Sequence, residues 1–303
     1  MTEYIVLVPD RKWSNLKYFD SSIAEIYDVY DVQDVNIFFR AFRKLIYFIG
    51  CGKNKVFYGD WTKHIQDSVQ FIIFDSCRPY HRLRRIFNNA KIRPIVYFWN
   101  PICKHDKIKY LKKYFTVFTY SKIDSVNYNL NYNPTFCVMP KLDTAHEIEY
   151  DGVFVGRNKS RLTKLEELYK QLNNPYFYVV KDKSEVSDLI DLKSENMNYD
   201  EYLRIIAKAK AIIEIVFVDN ADFTLRTMEA LFYQKKLITN NKAIVNAEFY
   251  NENNIYILNE QTSKRDIQNF MELPFIPYPQ EQVNYYSVDK WVKRFNPENY
   301  IKR

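Results

Sequence analysis

The segment from Ala211 to Asn241 constrains the fold more than any other part of the chain. Residues 212–218 are apolar and mostly β-branched except for Glu214, which is the pattern of a strand buried on both faces. Polar turn formers come next, and Thr224 follows them as a candidate N-cap. Apolar residues then recur at helical spacing, and a second strand starts at Lys236. This order predicts a β-α-β unit of a parallel sheet.

The start of the helix in this unit carries polar side chains where such sheets bind ligands. In open α/β sheets, ligands bind beyond the carboxyl ends of the strands. Thr224, Arg226 and Glu229 offer a hydroxyl, a guanidinium and a carboxylate there, beside the free amides of a helix start. Arg226 and Glu229 are three residues apart, so an ion pair on the helix surface is the alternative role for both.

A glycine turn about seventy residues earlier has the composition of a phosphate site. The chain has only five glycines, and Gly156 lies between a short apolar strand and a helix start. This position suggests a backbone requirement, either a positive φ or the close approach of a ligand. Arg157, Lys159 and Arg161 surround the turn, and cations beside helix-start amides suit a pyrophosphate.

Together the two motifs resemble the donor-binding half of GT-B glycosyltransferases. Many of these enzymes carry a helix of the form (T/S)-x-R-x-x-E-A-L and then a strand like K-x-L-I-T-N, which correspond here to residues 224–231 and 236–240. The resemblance covers residues 150–260 by motif and the N-terminal half by pattern only. Phe223 is a departure, because many members have glycine there beside the phosphates and phenylalanine leaves less room.

The resemblance implies roles for particular residues. The glutamate at the position of Glu229 holds the donor ribose, and the glycine turn lies near the donor phosphates. In GT-B enzymes, the loop at the position that precedes Tyr199 here often wraps around the nucleotide base of the donor. The resemblance therefore implies that Tyr199 contacts this base. The alternative is that Tyr199 packs at the start of its helix. The candidate donor-binding residues are Gly156, Arg157, Lys159, Arg161, Tyr199, Thr224, Arg226 and Glu229.

Catalysis without a metal cofactor is expected. The sequence has no D-x-D motif, and none of its four cysteines lies in a C-x-x-C motif. Cations and a helix N-terminus would then neutralise the departing phosphate charge. Asp75 is the first candidate for a general base, because it ends an apolar strand, and a helix-capping role is its alternative. Asp10 and His81 are weaker candidates, and a retaining enzyme would need no such base.

The 303 residues fit two domains of the α/β class. Strands and helices alternate on both sides of a polar, acidic stretch near residues 143–150, which we interpret as the linker. We therefore predict two Rossmann-like domains facing a cleft: an acceptor domain at residues 1–145 and a donor domain at 150–285. Residues 286–303 form a C-terminal helix, which the resemblance implies crosses back to the first domain.

Composition limits the location and the partners. An aromatic content of 17% argues against disorder, and we find no signal pattern and no apolar run of membrane-spanning length, so a soluble, cytoplasmic protein is expected. The formal charge is +7, but basic residues are mixed with acidic ones and no nucleic-acid motif stands out, so no nucleic acid is expected as a partner. The charge is compatible with peripheral contact at the inner face of the cell membrane.

The expected activity is transfer of a sugar from a nucleotide-sugar donor to a glycan or lipid-linked acceptor. The resemblance points to the synthesis of bacterial surface polysaccharide or lipooligosaccharide. Two alternatives stay open: another nucleotide-sugar enzyme on the same plan, such as an epimerase or a phosphotransferase, and a non-catalytic nucleotide-binding protein.

Overall fold

The structure is a computed structural model of the chain. It describes residues 3–12, 14–30, 58–66, 68–77, 80–87, 92–138, 140–142, 147–216 and 222–296. The chain forms two compact units. The first comprises Met1–Val138 together with Val288–Arg303, and the second comprises Met139–Ser287.

The first unit contains a six-stranded parallel sheet. Its strands are β1 (Tyr4–Val8), β2 (Ala24–Asp28), β3 (Gln70–Phe74), β4 (Ile95–Phe98), β5 (Thr116–Thr119) and β6 (Asn131–Tyr132). Their spatial order is β2-β1-β3-β4-β5-β6. The helices between the later strands are α1 (Tyr80–Phe87), α2 (Ile108–Tyr114) and α3 (Lys122–Tyr128). The strand order reverses between β1 and β3, so the switch point of this sheet lies between these two strands.

The second unit contains another six-stranded parallel sheet. Its strands are β7 (Tyr150–Arg157), β8 (Pro175–Val180), β9 (Leu192–Lys193), β10 (Ala209–Glu214), β11 (Lys236–Thr239) and β12 (Ile255–Ile257). The helices are α4 (Leu162–Gln171), α5 (Tyr199–Ala207), α6 (Leu225–Phe232), α7 (Lys264–Glu272) and α8 (Gln280–Tyr285). The order β9-β8-β7-β10-β11-β12 is the 3-2-1-4-5-6 order of a Rossmann fold, so its switch point lies between β7 and β10.

Two parallel sheets covered by helices confirm the predicted α/β class. The inner strands of both sheets bury nearly all their side chains, as strands with helices on each face do. Within the described residues, no helix combines the length and the apolar composition that crossing a bilayer requires.

The C-terminal helix α9 (Val288–Lys293) belongs to the core of the first unit. The Trp291 ring stacks on Phe136 with 4.1 Å between ring centroids, and Phe295 packs edge-on against Phe118 at 4.8 Å. Both Trp291 and Phe295 are buried. The Asp289 carboxylate accepts hydrogen bonds from the hydroxyls of Ser21 and Ser22, which fixes the start of the helix.

Candidate functional site

Two arginines meet at the switch point of the second unit. The Arg161 guanidinium donates to the carbonyl of Ile215, just beyond β10, and its Nε donates to the carbonyl of Asn158 at 3.0 Å. The Arg226 guanidinium donates to the carbonyl of Val155 on β7 at 2.8 Å. The carboxyl ends of the two strands at the switch point are therefore bridged by cationic side chains.

The turn after β7 has an unusual backbone. Lys159 and Ser160 both lie in the left-handed region, with φ of 45° and 60°. This conformation is costly for residues with a side chain and is concentrated at functional sites. Gly156, where sequence suggested a backbone requirement, is not in that region, and a Cβ there would meet only ordinary contacts from 3.4 Å. The positive φ therefore falls three residues later than the glycine.

The start of α4 adds to the positive character of this turn. Arg161 is the N-cap residue, and its side chain makes no capping hydrogen bond. Burial lowers the pKa of Arg161, the nearby charge of Arg226 lowers it further, and Asp182 partly opposes both. The described hydrogen bonds of the Arg161 side chain all go to carbonyl groups, so its positive charge is not neutralised by a bonded carboxylate. An anion is the ligand that this arrangement favours.

Asp182 limits which amides of the turn a ligand could use. Its carboxylate accepts the backbone N–H of Lys159 at 2.6 Å. The side chains of Arg157 and Lys159 are exposed. These two residues therefore offer cations at the edge of the site, while the Lys159 amide is used within the protein.

Glu229 is fully buried and makes three hydrogen bonds. Its Oε1 accepts from the Tyr199 hydroxyl at 3.0 Å, and its Oε2 accepts from Tyr202 at 2.6 Å and from Arg226 at 3.0 Å. The Arg226 guanidinium also stacks on the Tyr202 ring, 4.7 Å from its centroid. Burial raises the pKa of both tyrosines, so each stays protonated and able to donate. The pair of Arg226 and Glu229 is thus part of a network that joins α5, α6 and β7.

Thr224 is the N-cap of α6, as its position in the sequence predicted. Its Oγ1 accepts the backbone N–H of Arg226 at 3.0 Å, and its hydroxyl donates to Glu214. The hydroxyl hydrogen and one lone pair of the oxygen are thus used within the protein, and both hydrogen bonds hold the helix start.

Glu214 is the residue of the site that sequence reasoning missed. It ends β10, is 3% exposed, and accepts hydroxyl donors from Thr224, from Thr227 at 2.7 Å and from Thr239 at 2.5 Å. The sequence feature that could have identified it is a single acidic residue within an otherwise apolar strand. Because this carboxylate lies at the start of α6, an anionic ligand is favoured at the start of α4 instead.

Asp75 lies in the other unit, directly after β3. It is 5% exposed, and its two carboxylate oxygens accept from the Asn100 amide at 3.2 and 2.9 Å. The strand places it at the carboxyl edge beside the switch point of the first sheet. Of the weaker candidates, Asp10 accepts the backbone N–H of Lys12 at 2.8 Å, and the side chain of His81 lies outside the described part of the chain.

The structure thus brings all eight predicted donor residues to one part of the second unit. The residues that lie around the switch point of the second unit are Gly156, Arg157, Lys159, Arg161, Tyr199, Thr224, Arg226 and Glu229. Residues 217–221, which precede α6, lie outside the described residues. Across the described ranges, no three His, Cys, Asp or Glu side chains are grouped so as to hold a metal ion.

Comparison with known proteins shows likeness in structure only. No protein-family model matches the chain, and neither does any curated protein sequence. The chain is similar to the N-terminal domain of trehalose-6-phosphate phosphatase from Candida albicans, with a TM-score of 0.53 and 12% identity over 97% of this chain and 96% of that one. It is also similar to TarM, with a TM-score of 0.48 and 13% identity over 80% of this chain. The alignment spans about half of TarM, 54% of its length. At 12% identity, the likeness to the phosphatase domain shows a shared fold and not a shared chemistry.

Proposed function

We propose that the protein is a glycosyltransferase that binds a nucleotide-sugar donor at the switch point of its second unit. The observation that carries the proposal is the convergence of Arg161 and Arg226 with the uncapped start of α4, where the strand order reverses. A diphosphate between nucleoside and sugar supplies the negative charge that this place favours. The motif resemblance of residues 224–231 to GT-B enzymes adds the reaction class.

The two arginines would serve the leaving group. When the glycosidic bond to the sugar breaks, negative charge grows on the nucleoside diphosphate. Cations fixed in advance stabilise that charge without reorganising, which lowers the barrier to departure. Hydrogen bonds to charged groups contribute about 1.5–3 kcal/mol each, so two arginines and the amides of a helix start would together stabilise the leaving group by several kcal/mol.

The ribose would bind at Glu229 by exchange of hydrogen bonds. Oε1 has the single described donor Tyr199, which is the first residue of α5 and is only partly buried. Oε2 has two donors, of which Tyr202 is buried one turn further into the helix. A ribose hydroxyl would therefore take the place of the Tyr199 hydroxyl on Oε1.

The acceptor would bind the first unit. Asp75, at the carboxyl edge beside the switch point of that sheet, would take the proton of the acceptor hydroxyl if the reaction inverts configuration. The proposed acceptor is a glycan or a lipid-linked sugar of bacterial surface polysaccharide synthesis. A lipid-linked acceptor would require the protein to work at the cytoplasmic face of the membrane.

Titration with nucleoside diphosphates tests the donor site. Calorimetry with UDP, GDP, CDP and ADP is expected to give one selective ligand, and Arg161→Ala should weaken its binding at least about tenfold, because a contact to charge is lost. Lys170→Ala, on the exposed far end of α4, is the matched control and should bind as the wild type does. Binding and sugar transfer should both persist in EDTA.

Three outcomes would contradict parts of the proposal. Equal binding by Arg161→Ala and the wild type would remove the phosphate role of the arginine. Tight nucleotide binding without sugar transfer to any acceptor would indicate a binding protein. Loss of activity in EDTA, with recovery on adding a divalent cation, would show that a metal ion takes part.

Tyr199→Phe is expected to raise nucleotide affinity rather than lower it. The phenylalanine keeps the ring but removes the hydroxyl that occupies Oε1 of Glu229, so the ligand no longer competes with it. An increase of about tenfold or more is expected from one hydrogen bond to a charged group. Tyr178→Phe, in the same unit but bonded to the carbonyl of Glu195, is the control. A weaker ligand complex of Tyr199→Phe would mean that the hydroxyl itself contacts the ligand.

A further inference from the structure

Helix α3 of the first unit presents apolar side chains to solvent. None of its residues is buried. Ile123 is 48% exposed and Val126 is 79% exposed. The two side chains are three residues apart and therefore adjacent on one side of the helix. Together they form a small exposed apolar patch on this helix.

Lysines are frequent in the part of the chain that contains α2 and α3. Residues 101–132 contain six lysines, namely Lys104, Lys107, Lys109, Lys112, Lys113 and Lys122, against the two aspartates Asp106 and Asp124. Both aspartates accept backbone amides, Asp106 that of Cys103 at 2.9 Å and Asp124 that of Ile102 at 3.0 Å. Six lysines against two aspartates leave an excess of positive charge in this segment.

The charged and the apolar parts form one surface. The Lys112 ammonium donates to the carbonyls of Tyr128 and Asn129 at 3.3 and 3.0 Å, which joins α2 to the end of α3. Arg84 of α1 stacks on the Tyr114 ring of α2, 3.4 Å from its centroid. Successive right-handed crossovers in one direction along a sheet also place their helices on one face. We call the surface formed by α2 and α3 the basic–apolar face.

We propose that the basic–apolar face docks the protein on an anionic lipid surface. Exposed lysines attract anionic headgroups, while aliphatic side chains gain by entering the boundary between headgroups and acyl chains. A nucleic acid would use the lysines but would gain little from Ile123 and Val126, since it binds through charge and base stacking. The face belongs to the first unit and the proposed donor site to the second, so this inference does not depend on the donor site.

Vesicle sedimentation with the full chain tests the proposal. The wild type is expected to bind phosphatidylcholine vesicles that contain phosphatidylglycerol and not vesicles of phosphatidylcholine alone. Ile123→Ser with Val126→Ser, and separately Lys109→Glu with Lys113→Glu, should each lower the partition coefficient about tenfold or more. Val186→Ser is the control, because Val186 is 86% exposed in the second unit and lies outside this face.

The variants change exposed side chains, so their thermal unfolding should match that of the wild type and report intact folding. Equal loss of vesicle binding in Val186→Ser would overturn the assignment of the face. Binding that depends on the lysines but not on Ile123 and Val126 would overturn the lipid occupant. Displacement from the vesicles by a single-stranded oligonucleotide at low concentration would identify a nucleic-acid surface instead.

Discussion

Replacing Arg226 with alanine is expected to lower the free energy of unfolding by about 3–5 kcal/mol. The substitution leaves the Glu229 carboxylate, which is fully buried, without its cationic partner. It also removes a hydrogen bond to the carbonyl of Val155 and the stacking on Tyr202. Urea denaturation followed by circular dichroism measures the change.

Two further variants separate the ion pair from the loss of side-chain volume. Arg204→Ala removes an exposed arginine of α5 and should change stability by less than about 0.5 kcal/mol. Adding Glu229→Gln to Arg226→Ala should recover part of the loss, because a neutral amide costs less to bury than an unpaired carboxylate. If the double variant is as unstable as the sum of the two single variants, the buried charge is not the cause.

Glu214→Ala is expected to cost about 3 kcal/mol or more of unfolding free energy. Three hydroxyls lose their acceptor at once, and each buried polar group left unsatisfied costs about 1–3 kcal/mol. Glu214→Gln should cost less, since one carbonyl oxygen remains for Thr224 and Thr227. Calorimetric unfolding compares both variants with Glu252→Ala, which removes an exposed acid of the same unit.

The hydrogen bonds of Glu214 also predict a change in ligand binding. Because Thr224 caps α6, release of its hydroxyl should displace the helix that carries Arg226 and Glu229. Nucleotide affinity of the folded Glu214→Ala protein should therefore fall, whereas Thr227→Val should lose stability with a smaller effect on affinity. Unchanged affinity in Glu214→Ala would show that the helix keeps its place without the carboxylate.

Local sequence patterns were enough to predict the main elements around this site. The apolar run after Ala211 predicted a strand, and Thr224 predicted the start of the next helix. The strand ends at Glu214, however, rather than at residue 218. Asn240 explains part of the difference, since its side-chain amide pairs with both the N–H and the carbonyl of Val216. The Asn240 side chain thus makes the two hydrogen bonds that a neighbouring strand would otherwise make with the backbone of Val216.

The partners of the polar residues could not be predicted in the same way. Tyr199 and Tyr202 reach Glu229 from a helix that is about thirty residues earlier in the chain. The periodicity of α5 predicts a helix but does not specify which element it packs against. The same holds for Glu214, whose three hydroxyl partners come from two elements that sequence shows only as a helix and a strand. These contacts are set by the order of strands in the sheet.

The place of α9 in the first unit has a consequence for biosynthesis. The N-terminus of a chain leaves the ribosome first, and domains generally fold as they emerge. The second unit, Met139–Ser287, has all its residues before the first unit receives Trp291 and Phe295. The core of the first unit can therefore be completed only after the whole second unit has been synthesised.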